Sequence, residues 1–511
     1  MLPAKRRAVQ QGLLILAALL AVTLAVVRAC MQSLTEDEAD TYFWFVARPG
    51  YLWYPFPNNH ILNTLMIWIA THAFGLSPVT LRLPALLGAI LFISTCYFLC
   101  RRITDRFGLQ FPIFICLVYN PFVLDFMVAA RGYSLADAFL LAAIATPVWL
   151  HSKSHPSLQT SCALASLALG LSFTANFSFA FVDAAACLAI MTWAIRRREE
   201  ESLVRIVGSC VLPGLFVALL ICGYPLLHWP RKELWYGANS LSETAQSLVE
   251  ASLYQINPRF SHSALYKAIN FIKPLLLPTL GALCVSKLIA MGLEISRAKN
   301  PDADARRTYW LGRFAAALAG ITALAVLMHW LAFRFDKLPL PLSRTGIFFI
   351  PLCTLVAGII AAAPARSLVG RWFNRGVTGA FICLACYFLL CLRWTYFKEY
   401  EDDADVKDVY SVLAQLNHRY GVADVAVLDS LYVSPLNFYR VLSKREAFPE
   451  FMFVAANEFP VGKSIYVMHG GYSGELIEKQ RLVVLYHGKS TEVVVAVRPN
   501  GPIPLKRLHT D

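Results

Sequence analysis

The sequence predicts an all-α polytopic membrane protein, with about 11 transmembrane helices, interfacial helices in the first outer loop and a small C-terminal α/β domain. Three observations predict it. The 511 residues are 57% hydrophobic, with a mean hydropathy of +0.53. Apolar runs of about 18–24 residues recur, long enough to cross a bilayer as helices. The composition then turns polar from about Lys398 onward. The net charge of +13 sits in short loops beside the apolar runs. That placement is the signature of membrane orientation and excludes a nucleic-acid partner. The 13 cysteines fall in or beside apolar segments, with none after Cys391. Their spacing fits neither a zinc site nor a disulfide framework, so they read as small buried apolar side chains.

In chain order, Lys5-Arg6-Arg7 precedes a run from Ala8 to Cys30. This run is long for a signal peptide and has no small-x-small step before the acidic cluster, so it reads as a retained first span. The outer loop that follows carries Glu36, Asp37, Glu38 and Asp40, four carboxylates in five positions. Pro57-Asn58-Asn59-His60 opens a short helix to about Phe74 with an asparagine N-cap. At 100° per residue, His60, Asn63, Thr64 and Thr71 share one arc, which predicts an interfacial helix with its polar side toward a cavity. Further spans are expected at about 80–100, 110–129, 134–151, 158–175, 177–195, 203–227, 270–293, 311–333, 345–363 and 376–397.

With the N-terminus inside, basic clusters such as Arg101, Arg102, Arg106, Lys153, Arg196–Arg198, Lys299, Arg366 and Arg371 fall in inner loops. The odd number of spans puts the C-terminus outside. Residues 1–397 form the membrane domain and 398–511 an extracytoplasmic α/β domain. The latter is expected to hold a helix over 409–419 and strands at 424–428, 464–468, 482–486 and 492–497. It has no glycine-rich phosphate loop and reads as a cap.

A carboxylate beside low-dielectric surroundings acquires a pKa suited to proton abstraction, the task required for moving a sugar onto a hydroxyl. The outward cations Arg131, Arg334, Lys337 and Arg344 are candidates for receiving a phosphate. His60, Asn59 and Asn63 make a poor transition-metal set and a better group for sugar hydroxyls. Trp235, Tyr236, Tyr254 and Tyr266 stack on a sugar or form an interface belt.

Four motifs recur in one order: Asp37-Glu38-Ala39, then Asn58-Asn59-His60, then Leu81-Arg82-Leu83-Pro84, then Ala129-Ala130-Arg131-Gly132-Tyr133. In this order the chain resembles the GT-C superfamily of integral-membrane glycosyltransferases, in the family 39-related branch of protein O-mannosyltransferases and lipid A aminoarabinose transferases. Two positions depart from that pattern: Asn58-Asn59-His60 replaces a His-Pro-Pro-like step, and Ala129 replaces a glutamate. Asp125, four residues earlier, is the candidate substitute. The resemblance implies inverting transfer from a polyprenyl-phosphate sugar to a lipid, glycan or protein acceptor at the outer face. It makes Asp37 the general base, with Glu38 assisting, Arg131 and the loop cations on the phosphate, and Asn59, His60, Asn63, Asp125 and Tyr133 toward substrate. It requires no cofactor and leaves a divalent metal open. The alternatives are a lipid-linked sugar flippase or transporter without chemistry, and an assembly protein acting through its outer domain.

Overall fold

The computed structural model describes residues 3–503, except 153–156, 199–200, 231–233, 235, 254, 261–263, 298–302, 366–367, 445–447, 456–458, 461 and 500. Lys153, Trp235, Tyr254, Lys299 and Arg366 lie outside the described residues.

In hydrocarbon a backbone must satisfy its own hydrogen bonds, so the apolar runs become helices. α1 (Pro3–Met31) leads into α2 (Glu36–Asp40), a π-helical stretch over Thr41–Val46, and α3 (Ile61–Phe74), the expected short helix, though its N-cap is His60 and not an asparagine. α4 (Pro78–Ile103) starts on a Ser77 capping box with proline in its first turn. α5 (Phe107–Val118), α6 (Pro121–Phe126), α7 (Tyr133–Ser152), α8 (Leu158–Ala175), α9 (Ala180–Ile195) and α10 (Leu203–Leu227) follow. After them come α11 (Leu241–Ser252), α12 (Ala264–Arg297), α13 (Ala303–Asp336), α14 (Phe349–Ala362) and α15 (Leu368–Leu390). Among the described residues nine helices are long and apolar enough to cross a membrane: α1, α4, α7, α8, α9, α10, α12, α13 and α15. The chain is an integral, multi-pass membrane protein.

Two expected spans are corrected. The run at 110–129 is split, because Asn120 and Pro121 end α5 and cap the start of α6. The run at 345–363 begins as a 3-10 turn over Ser343–Gly346 and leaves α14 only 14 residues. At 1.5 Å per residue, α5 and α14 reach about 18 and 21 Å, short of a hydrocarbon core of about 30 Å. Both pack largely inside the bundle. Elsewhere α8 and α10 cross closely, since a Cβ on Gly214 would lie 2.2 Å from the Ser166 carbonyl oxygen.

Beyond the bundle, α16 (Val406–Tyr420), β1 (Val425–Val427), α17 (Val433–Ser443), β2 (Ile465–Met468), α18 (Gly470–Gln480), β3 (Val483–His487) and β4 (Val494–Val497) form the C-terminal layer. The sheet runs β1-β2-β4-β3, with β1 and β2 parallel and the other pairs antiparallel. The expected helix and four strands are present. α17 and α18 are additional, since Pro435 and Gly470-Gly471 break the usual helix signals. This layer grips the loop between α1 and α3. The Tyr439 hydroxyl accepts the Leu34 amide at 3.0 Å, and Ser33 Oγ donates to the Ala404 carbonyl at 2.6 Å. One apolar cluster joins Leu34, Ala39, Ile67 and Leu81 to Val409, Leu436 and Phe438.

Beneath that grip, Arg82 and Glu38 form a two-pronged pair with neither residue exposed to solvent: Nε to Oε1 is 2.9 Å and Nη2 to Oε2 is 2.7 Å. Removing one partner of a buried pair leaves the other uncompensated, at about 3–5 kcal/mol. Arg82→Met is therefore expected to lower stability by that order, read as a large fall in melting temperature in detergent.

Candidate active site

α2 is short, so its caps decide where its carboxylates point. Thr35 Oγ1 accepts the Glu38 amide at 3.2 Å, and Glu38 Oε2 accepts the Thr35 amide at 3.0 Å. Glu38 is thereby turned inward to Arg82. Glu36, Asp37 and Asp40 instead line a cavity of about 1130 Å³. The cavity has linings of opposite character. Glu36, Asp37, Asp40, Asn58, Tyr236 and Arg344 supply polar groups to it, while Phe173, Phe177, Phe181, Leu226, Leu227 and Trp229 supply an apolar surface.

Asp37 is the electrostatic centre. Its Oδ2 accepts from Arg344 Nη1 at 2.7 Å and from the Tyr400 hydroxyl at 3.0 Å. Its Oδ1 lies 3.5 Å from both Arg131 Nη2 and Asn58 Nδ2. Burial pushes this carboxyl up, but the guanidiniums of Arg131 and Arg344 and the hydrogen bonds from Tyr400 and Asn58 outweigh it, holding it well below the usual carboxylate range. The same helix carries the opposite case. Glu36 is pushed up to about 7, by burial first and then by the charges of Asp40, Asp37 and Asp429. Asp40 is likewise raised by burial, and Ser434 hydrogen-bonds it.

The two arginines are delivered by backbone devices. Ala238 and Leu340 exchange amide-to-carbonyl bonds at 2.7 and 3.0 Å, tying the strand-like loop before Arg344 in place. Tyr236, next to that bridge, lies 4.9 Å beneath the Arg344 guanidinium. Arg131 is 1% exposed and donates to Thr41 Oγ1 at 2.9 Å, to the Asp37 carbonyl at 3.2 Å and to Asn58 Oδ1. Gly132 follows it at φ 74°, where an added Cβ would lie 2.2 Å from the Ala175 carbonyl oxygen. That turn carries the chain from Arg131 to Tyr133.

His60 forms the adjacent wall. It is 4% exposed, and neither ring nitrogen has a hydrogen-bond partner among the described residues. Burial, then the charge of Arg131, holds it well below the usual imidazole value, so the ring is neutral. It sits edge-on to Tyr133, ring centres 5.6 Å apart. A neutral imidazole presents one donor and one acceptor to the cavity.

Among the residues expected to act, Asp37, His60, Tyr133 and Arg344 line this cavity, with Arg131 directly behind Asp37. Several others do not reach it. Glu38 is consumed by Arg82, Thr35 and the Ala130 amide. Asp125, the candidate substitute for the glutamate replaced by Ala129, pairs with Arg28 and accepts the Lys398 amide at 2.8 Å, so it braces the bundle. Asn59 holds its own loop through the Leu52 and Tyr54 carbonyls, and Asn63 donates to the Ala130 carbonyl at 3.0 Å. Arg334 and Lys337 are exposed outside the cavity, because the chain turns at Lys337 (φ 55°) and sends Leu338–Pro341 into the lining instead. Tyr400, Asn176 and His329 join the site without any local signal. Among the described residues no group of three or more His, Cys, Asp or Glu is placed to hold a metal ion.

No family model matches the chain, and no curated protein matches it in sequence. Its structure is similar to the crystal structure of ArnT from Cupriavidus metallidurans in the apo state, at 12% identity and a TM-score of 0.47, covering 95% of this chain and 97% of that one. It is also similar to the arabinofuranosyltransferase AftD from Mycobacteria, at 14% identity and a TM-score of 0.46, covering 96% of this chain and 40% of that one. A third similar structure is the Archaeoglobus fulgidus oligosaccharyltransferase in complex with zinc and sulfate, at 12% identity and a TM-score of 0.42, covering 95% of this chain and 74% of that one.

A charge-assisted hydrogen bond contributes about 1.5–3 kcal/mol, or roughly 10- to 150-fold in affinity. Arg344→Gln is expected to weaken binding of the polyprenyl phosphate that the sequence resemblance implies by that factor, read in a detergent titration with decaprenyl phosphate. Lys337→Gln is expected to leave it unchanged.

Proposed function

We propose that the protein is a membrane glycosyltransferase that moves one sugar from a polyprenyl-phosphate donor to an acceptor hydroxyl on the extracytoplasmic side. One observation carries this reading: a single cavity is lined by cationic and carboxylate side chains and also by an apolar slot of residues at helices of membrane-spanning length. A lipid phosphate has that division of character. Its chain would occupy the slot beside Leu226, Leu227 and Phe177. Its phosphate would meet Arg344, with Arg131 behind. As the bond between anomeric carbon and phosphate oxygen breaks, charge grows on the phosphate, and preorganised guanidiniums stabilise it without reorganising.

Asp37 is the counter-ion that keeps both guanidiniums aimed. His60 and Tyr133 are placed for sugar hydroxyls, since a buried imidazole without a protein partner gains by hydrogen-bonding a ligand. The α2 carboxylates supply the proton acceptor, in the role the resemblance implies for Asp37. Direct displacement by the acceptor oxygen, with no covalent sugar intermediate, inverts the anomeric centre. The sequence resemblance to GT-C transferases supports the same chemistry, and the C-terminal part holds α2 in place through Tyr400 and Asp403.

The test uses the purified full chain with a panel of decaprenyl-phosphate pentoses and hexoses and an envelope extract as the source of acceptor. The expected result is acceptor-dependent release of free decaprenyl phosphate, lowered by at least about 100-fold in Asp37→Asn. A carrier would bind these donors and release none.

A further inference from the structure

We propose that Glu36, and not its neighbour Asp37, takes the proton from the incoming acceptor hydroxyl. This rests on the transferase reading above and names the base within it.

A general base needs a free lone pair facing the substrate and a basicity matched to the working pH. Asp37 has neither. One oxygen holds Arg344 and Tyr400, and the other faces Arg131 and Asn58. To accept a proton it would have to give up the contacts that position both cations. Glu36 is next to it and lines the same cavity, and among the described residues its carboxyl is acted on by burial and neighbouring charges with no hydrogen bond to it. Its backbone amide is anchored to Asp403 Oδ2 at 3.2 Å, so the residue is held while its carboxylate is left open. Asp40 faces the cavity one helical turn later but is tied to Ser434.

The surroundings suit Glu36 to this role. Around it stand Asp37 and Asp40 on its own helix, Asp429 and Asp403 from the C-terminal layer, and Arg344 across the cavity. Burial first, and then the charges of Asp40, Asp37 and Asp429 against one arginine, disfavour its charged form and move its pKa to about 7. The carboxylate is then present at neutral pH and strongly basic for its type. In the step, the acceptor O–H bond breaks and its proton passes to Glu36. The acceptor oxygen forms its bond to the anomeric carbon, and the carbon–oxygen bond to phosphate breaks with both electrons leaving on phosphate. Glu36 afterwards returns its proton to water at the cavity mouth.

The experiment compares wild type, Glu36→Gln, Glu36→Asp and Asp37→Asn as full-length protein. Decaprenyl phosphate is the binding probe, and the donor panel with envelope extract is the turnover probe. Glu36→Gln is expected to bind decaprenyl phosphate within about twofold of wild type while kcat falls at least about 100-fold. Wild-type turnover should fall below a pKa near 7, the direction required of a base that must be ionised. That acid limb should be absent from the residual rate of Glu36→Gln, moved in Glu36→Asp, and still present in the residual rate of Asp37→Asn. Turnover by Glu36→Gln equal to wild type, or an acid limb lost only in Asp37→Asn, overturns the assignment while leaving the transferase reading standing. No release of decaprenyl phosphate by wild type overturns both.

Discussion

The Arg82–Glu38 pair is the constraint from which the site's geometry follows. A guanidinium has five N–H donors, and here each finds an acceptor: Glu38 takes two, and the carbonyls of Ala29, Gln32 and Ser33 take three. One buried side chain thus ties the end of α1, the start of α2 and the entry of α4. Glu38 extends the tie to the loop before α7 by accepting the Ala130 amide at 2.8 Å. Buried pairs of this kind contribute little net stability, but they punish any other register. With Glu38 locked inward, a helix of 100° per residue puts Glu36 and Asp40 about 160° around from it and Asp37 to the side. The acidic run is sorted by that rotation into one anchor and three cavity residues.

The three cavity carboxylates then differ because their neighbours differ. Asp37 lies between two guanidiniums that reach it from loops 94 and 307 residues away. Glu36, one residue earlier, faces mostly other carboxylates. Adjacent residues thereby receive opposite electrostatic treatment, one acid stabilised as an anion and the other held near its midpoint at neutral pH. Such divergence between neighbouring acids is how one site obtains both a permanent counter-ion and a titrating group. It also leaves the two arginines with one excess positive charge against Asp37, the sign that an anionic leaving group needs.

The C-terminal layer takes part in this arrangement directly. Tyr400, ten residues beyond the end of α15, donates to Asp37, and Asp403 anchors the amide of Glu36. Tyr439 and Ser33 clamp the same loop from its other side. A cap that only covered the cavity would not need those contacts. The layer instead holds α2 against the bundle, so the placement of the cavity's carboxylates depends on both parts of the chain.

Apolar length by itself determined the crossing helices, because hydrocarbon admits no other economical backbone, and β-branched runs determined the four strands. The order of the acidic loop, the short helix, the Arg82 entry and the Arg131 turn was also legible, and with it Asp37, His60, Tyr133 and Arg344 as cavity residues. Local pattern failed at Asn120-Pro121, where a continuous apolar run hides a helix break, and at Glu38, Asp125, Asn59 and Asn63, whose polarity serves buried braces. It failed too at Arg334 and Lys337, because one turn of backbone aims them away from the cavity while Arg344 is carried in. Only the tertiary structure decided which carboxylate is paired and which is free. A carboxylate's charge state depends on the charges and hydrogen-bond donors within a few ångströms, and here those come from segments 307 and 363 residues away.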